Sequence, residues 1–191
     1  MELLKIKPKI KKNKNYRMGL VALATDFTIE SDFNKVLPND KIGFYVNRLP
    51  SYNPLSRKNY IKMNSKLTEV AANILPKQKF HSIAYGCTSG TIASGKKIIK
   101  NRILMAKPGA KVSDPISSAI NAFKKLKIKK LTIFTPYAQS INRTVVDYLK
   151  KYNFKISSFH YLNLSSDVDI GQVDKNFLYK YLSKIDLKSS D

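Results

Sequence analysis

Tyr85-Gly86-Cys87-Thr88-Ser89-Gly90 decides how this chain is read. The stretch closes an apolar run, Ile83-Ala84-Tyr85, and opens a helical one, Ile92 to Ile99. The only cysteine of the sequence therefore sits where a buried strand turns into a helix. Free backbone N–H groups and the positive dipole end of a helix favour a thiolate and can hold a carboxylate beside it. The glycine before the cysteine permits a tight turn, while Thr88 and Ser89 supply hydroxyls and a helix start. A lone cysteine can equally be a small buried apolar residue. Ligands of parallel sheets, however, bind beyond the carboxyl ends of the strands, which is where Cys87 lies.

Outward from this turn, short apolar runs alternate with segments of helical period, the pattern of parallel strands with crossover helices. Met18 to Ala24 reads as a first strand, followed by a helix over Thr28 to Leu37 with Ile29, Phe33, Val36 and Leu37 on one face. Ile42 to Leu49 is a second strand. After a loop with Pro50 and Pro54 comes one helix whose stripe is Met63, Leu67, Val70, Ala71 and Ile74. Ser82 to Tyr85 is the third strand, and its helix runs to about Asn101, before a turn at Pro108-Gly109. Lys111 to Ser113 is a short fourth strand, and Pro115 opens a helix with Ile116, Ile120 and Phe123 on one face. Leu131 to Phe134 is a fifth strand ending in Thr135-Pro136-Tyr137. A helix over about Ser140 to Tyr152, a sixth strand over Lys155 to Leu162 and a last helix around Phe177 to Leu182 complete the pattern.

The expected architecture is α/β: two Rossmann-like lobes with parallel sheets, the second incomplete. The divisions are a basic N-terminal extension over 1–16, a first lobe over 17–127 and a partial second lobe over 128–191. Two strands in the second lobe leave a sheet edge and apolar surface uncovered. Either that lobe is small and leans on the first, or the chain stops early.

Composition narrows the function. With 191 residues the chain can bury a sizeable core. No apolar run is long enough to span a membrane, and the lysine-rich start lacks the apolar middle of a secretory signal, so a cytoplasmic protein is expected. A single cysteine excludes an intrachain disulfide, and His81 and His160 have no metal-ligand spacing. The net charge of +22 invites a nucleic-acid reading. Its lysines are spread through every segment, with small clusters at Lys9-Ile10-Lys11-Lys12 and from Lys124 to Lys130, and they far outnumber the arginines that would read phosphates or bases bidentately. Solvated faces account for most of them, and no specific nucleic-acid partner is expected.

Three polar strand ends converge on the crevice of Cys87. Thr25-Asp26-Phe27-Thr28 follows the first strand, where Asp26 or Thr28 would also serve as a helix cap. Thr135-Pro136-Tyr137 precedes a helix with Asn142 and Arg143, and the tyrosine either donates its hydroxyl to a substrate oxygen or simply packs. Asn47 and Arg48 end the second strand as anion contacts or plain loop residues. Asp167-Val168-Asp169-Ile170-Gly171 lacks the alternating oxygens and terminal glutamate of a calcium loop, so no metal is expected. Neither Gly86 nor Gly90 fits a dinucleotide or P-loop spacing.

Taken in order, these segments resemble the aspartate/glutamate racemase superfamily, in the branch holding maleate cis-trans isomerase, arylmalonate decarboxylase and the ectoine-utilisation proteins. The resemblance rests on Leu23-Ala24-Thr25-Asp26-Phe27-Thr28-Ile29-Glu30, Ala84-Tyr85-Gly86-Cys87-Thr88-Ser89-Gly90-Thr91, Ala106-Lys107-Pro108-Gly109-Ala110, and Thr135-Pro136-Tyr137 with Asn142. It implies two lobes related by a pseudo-twofold axis, a small carboxylate substrate held between them and no cofactor. By the same resemblance Cys87 is the first-lobe thiolate, acting as base or nucleophile. Thr88 and Ser89 bind the substrate carboxylate, and Tyr137 with Asn142 are second-lobe contacts. Asp26 stands where maleate isomerases tend to have asparagine, which leans away from maleate toward the ectoine-utilisation or another branch.

The family's second cysteine would follow a strand beginning near Lys188-Ser189-Ser190-Asp191. The resemblance therefore implies an isomerase or racemase lacking one of its two acid/base groups, with little turnover from this chain alone. The rival expectations are a basic binding protein of the same fold without catalysis, and an inactive fragment that self-associates through its open sheet edge into a homo-oligomer.

Overall fold

A computed structural model describes residues 3–10, 15–38 and 41–191. Lys11 and Lys12 of the basic cluster, and part of the expected 1–16 extension, lie outside the described residues. The element order is β1 (Tyr16–Leu23), α1 (Ile29–Val36), β2 (Ile42–Leu49), α2 (Arg57–Ser65), α3 (Leu67–Ala72), β3 (Ser82–Tyr85), α4 (Thr88–Ser94) and α5 (Lys96–Ala106). There follow β4 (Lys111–Ser113), α6 (Pro115–Lys125), β5 (Lys130–Tyr137), α7 (Gln139–Lys150), β6 (Lys155–Leu164), α8 (Asp167–Gly171) and α9 (Lys175–Leu182).

The strands form two parallel sheets, one of four strands in the order β2-β1-β3-β4 and one pairing β5 with β6. In β1, Leu20, Val21 and Ala22 are all completely buried, because a parallel strand covered on both faces must be apolar without alternation. On one face Val21, Leu49, Ile83 and Tyr85 pack under α2, α3 and α5 through Met63, Leu67, Ile99 and Ile103. On the other, Leu20, Ala22 and Ala84 lie beneath Ile29 and Phe33 of α1, with Phe33 stacked on Phe44 at 5.5 Å. In a separate core, Ile116 and Ile120 of α6 meet Leu131 of β5, Val145 and Leu149 of α7, and Phe154 just before β6. The two cores touch through α4 and α7: Ile92 packs into the second core and Ile141 into the first, while Tyr137 borders both.

Several expectations are corrected. The single helix expected after Pro54 is split at Lys66, which keeps right-handed dihedrals (φ −85°, ψ −4°) and donates back to the carbonyl of Met63 at 3.1 Å. The break is thus a tightened turn, and the apolar stripe continues across it. The helix after Cys87 is likewise two helices, α4 and α5, divided by Gly95 at φ +87°, a conformation open to glycine and costly for other residues. Val36, placed on the inner face of α1, is exposed. Strand β5 runs through Thr135-Pro136-Tyr137, β6 reaches Leu164, and α8 was not anticipated. Among the described residues no helix is long and apolar enough to cross a membrane.

Candidate active site

At the carboxyl end of β3 the backbone leaves the sheet and Cys87 caps α4 with its own side chain: Sγ accepts from the Gly90 N–H at 3.2 Å. The Cys87 carbonyl accepts from the Thr91 hydroxyl at 3.0 Å, so both ends of the residue are tied to the first turn. Behind that turn lies a buried polar hub. Asn64 of α2 donates to the Gly90 carbonyl at 2.9 Å and to Ser94 Oγ at 2.8 Å, and accepts from the Tyr85 hydroxyl. Gly90 has no room for more: a Cβ there would overlap the Tyr85 hydroxyl and lie 3.1 Å from both Cys87 Sγ and Met63 Cε. Gly90→Ala is expected to destabilise the protein by about 1–3 kcal/mol, as overpacking does, lowering the melting temperature by roughly 2–10 °C. An unchanged melting curve would show that the turn yields freely.

In front of Cys87 is a cavity of about 290 Å³. Of the residues singled out from sequence, Asp26, Cys87, Thr88, Ser89 and Tyr137 line it together. Ser89 Oγ is buried without a well-formed hydrogen bond, although the Tyr60 and Tyr137 hydroxyls lie near it. Asp26 turns out to be both wall and cap: its Oδ1 accepts from the N–H groups of Thr28 (2.8 Å) and Ile29 (2.9 Å) at the start of α1. Arg48 holds this loop, donating to the carbonyls of Leu23 (2.9 Å) and Asp26 (2.9 Å) and to the Glu30 carboxylate at 2.6 Å, so its guanidinium braces the wall and is spent on protein partners. Asn47 is similarly spent on the Val70 carbonyl.

Asn142 is not in the cavity. It is buried behind it, accepting from the Thr135 hydroxyl at 2.6 Å and donating to the Tyr137 carbonyl at 2.8 Å. It thereby fixes the strand end that presents Tyr137.

Tyr60, Asp167 and Lys175 were not assigned to the site from the sequence. Tyr60 of α2 is buried beside the thiol, and only its aromatic side chain within a helical stripe distinguished it. Asp167 of α8 reaches back to the four-stranded lobe, its Oδ2 accepting from Ser51 Oγ at 2.7 Å and Thr25 Oγ1 at 3.3 Å. Lys175, at the start of α9, brings a cation to the rim. Among the described residues no group of three or more His, Cys, Asp or Glu could hold a metal ion.

The sequence reading of a helix-stabilised thiolate is also corrected. Burial pushes the Cys87 thiol up to about 12, the Gly90 N–H offsets only part of this, and the Asp167 and Asp26 carboxylates add to it. Burial raises Tyr60 and Tyr137 as well, with Ser89 pulling the other way on both. The cavity therefore holds a thiol and phenols, all protonated at neutral pH. That set can donate hydrogen bonds to an anion, and its sulfur becomes a nucleophile once its proton is removed.

Two parallel sheets covered by helices, with a cysteine turn at the carboxyl end of β3 facing a cavity, define an α/β protein with a candidate site at its strand ends. The chain belongs to the arylmalonate decarboxylase family, whose model matches residues 33–190. It is 19% identical to a maleate isomerase of Geobacillus stearothermophilus, over 93% of this chain and 76% of that protein. Among solved structures it is similar to a maleate isomerase of Pseudomonas putida, with a TM-score of 0.81, 16% identity, and coverage of 93% of this chain and 76% of the other. A maleate cis-trans isomerase of Nocardia farcinica, a cysteine-to-serine variant with a covalently bound succinylcysteine intermediate, superposes with a TM-score of 0.79 at 19% identity, covering 92% and 75%.

Proposed function

We propose that this protein is a cofactor-independent enzyme of the isomerase and racemase type that acts on a small carboxylate through Cys87. The observation that carries this reading is the convergence, in one cavity, of a buried cysteine with the hydroxyls of Thr88, Ser89 and Tyr137. These hydroxyls would hold the carboxylate. Tyr137 is delivered by the second lobe, residues 128–191, and Cys87 by the first, residues 17–127. Asn142 serves in this scheme by positioning Tyr137.

For a cis-unsaturated acid the step is a reversible addition. The sulfur bonds to one alkene carbon, the thiol proton ends on the other, and the former double bond becomes free to rotate. Elimination of the same S–H then returns the trans acid, so no atoms or electrons are left over. The succinylcysteine in the Nocardia farcinica relative is the product of such an addition and supports the scheme by analogy. Cys87, the one cysteine of this 191-residue chain, serves both the addition and the return step in this scheme.

Incubation with maleate and related cis acids, followed by intact-mass and peptide mapping, tests this. The expected result is a protein mass raised by one acid, located on Cys87 and absent in Cys87→Ser. If the wild type forms no adduct and no trans product from any of these acids, the catalytic reading fails.

A further inference from the structure

The walls of the Cys87 cavity carry more negative than positive charge. Asp26 and Asp167 approach it from opposite lobes, and each has one carboxylate oxygen committed to protein donors. Asp26 Oδ1 is taken by two backbone N–H groups and Asp167 Oδ2 by two hydroxyls, which leaves the second oxygen of each for other donors. Lys175 is the one lysine or arginine among the lining residues. A different observation points to a ligand: Ser89 Oγ is more than nine-tenths buried, borders the cavity and has no well-formed hydrogen bond. A buried hydroxyl whose contacts with the Tyr60 and Tyr137 hydroxyls fall short of good hydrogen-bond geometry is under-satisfied, and a carboxylate oxygen seated between Thr88 and Ser89 would complete it.

One carboxylate therefore has a natural seat, and a second would face Asp26 and Asp167. We propose that the substrate of this cleft is a monocarboxylate whose other polar end donates N–H, as an amide or an ammonium group, to Asp26 and Asp167. This deepens the functional reading above and rests on it. A symmetrical dianion such as maleate pairs its second charge with two like charges. Like-charge juxtaposition of this kind is expected to weaken binding about 10²-fold relative to an N–H donor of the same shape.

Three probes separate the chemistries: maleate, its monoamide maleamate, and cis-4-aminobut-2-enoate. Binding is read by calorimetry on Cys87→Ser, in which thiol addition cannot occur, and adduct formation on the wild type. The expected result is binding of maleamate, the aminobutenoate or both about 10²-fold tighter than maleate. The two nitrogen probes tell a neutral donor from a cation. Asp26→Asn combined with Asp167→Asn keeps an acceptor for the helix cap and for Ser51, and should bring the preference close to one while the thermal melt stays near wild type. A preference for maleate, no binding of either nitrogen probe, or a preference unmoved in a folded double variant would overturn the proposal. Selective binding without any Cys87 adduct would uphold the ligand class and sink the catalytic reading, so the two fail separately.

Discussion

Iodoacetamide is expected to alkylate Cys87 on the order of 10³-fold more slowly at neutral pH than it alkylates a free cysteine. Only the thiolate reacts, and a thiol pushed up to about 12 is almost wholly protonated at pH 7. The sign follows from the causes: removing the proton places a charge in a buried site near the Asp167 and Asp26 carboxylates. Between pH 9 and 11 the rate should still climb about tenfold per unit, where an ordinary thiol has levelled off. Asp167→Asn removes one repelling charge and should speed the reaction at pH 8. A plateau near pH 8 in the wild type would mean that the Gly90 N–H and helix start outweigh burial. For catalysis the consequence is definite. In the proposed addition the thiolate is the attacking form, so the rate of adduct formation with a cis-unsaturated acid should rise with pH in the same range.

The second large effect lies behind the site. Asn64→Ala is expected to lower stability by about 3 kcal/mol or more, since buried groups stripped of their partner each cost about 1–3 kcal/mol. Three groups depend on this side chain: the Tyr85 hydroxyl, the Gly90 carbonyl and Ser94 Oγ. Asn64 and Tyr85 are each only 1% exposed, so water cannot substitute. Urea unfolding followed by far-UV circular dichroism measures the loss. A change below about 1 kcal/mol, within the range of an ordinary surface substitution or single exposed hydrogen bond, would show that the hub is dispensable.

The four-stranded sheet was readable because buried parallel strands are written as unbroken apolar runs, such as Gly19-Leu20-Val21-Ala22-Leu23. The cysteine turn was readable because Gly86, Cys87, Thr88 and Ser89 are local to one strand end. The break at Gly95 was not, because a glycine within a helical pattern is compatible with either a continuous or a broken helix. The five-residue α8 is too short to carry a period, and Asp167 belongs to the site only through partners 116 and 142 residues away, Ser51 and Thr25. Asn142 shows the converse. Its place beside Tyr137 in sequence suggested a contact with substrate, whereas two short hydrogen bonds turn it into the support for the strand end. The thiol's protonation also escaped the sequence, because the helix start is local whereas the burial that outweighs it comes from both lobes.

The clamp of Asp167 on Ser51 and Thr25 also sets an order of events at the ribosome. All the strands and helices that carry Cys87 are made before Tyr137 and Asp167, the residues that close the cavity from the second lobe. Roughly 80 residues separate Cys87 from Asp167, so at about 5–20 residues per second the nascent thiol waits some 4–16 s for its cover. During that interval it lacks its second-lobe cover and is more open to oxidants and to passing electrophiles. The one thiol of the chain, nearly closed off once the protein is folded, is thus least protected while the second lobe is still being made.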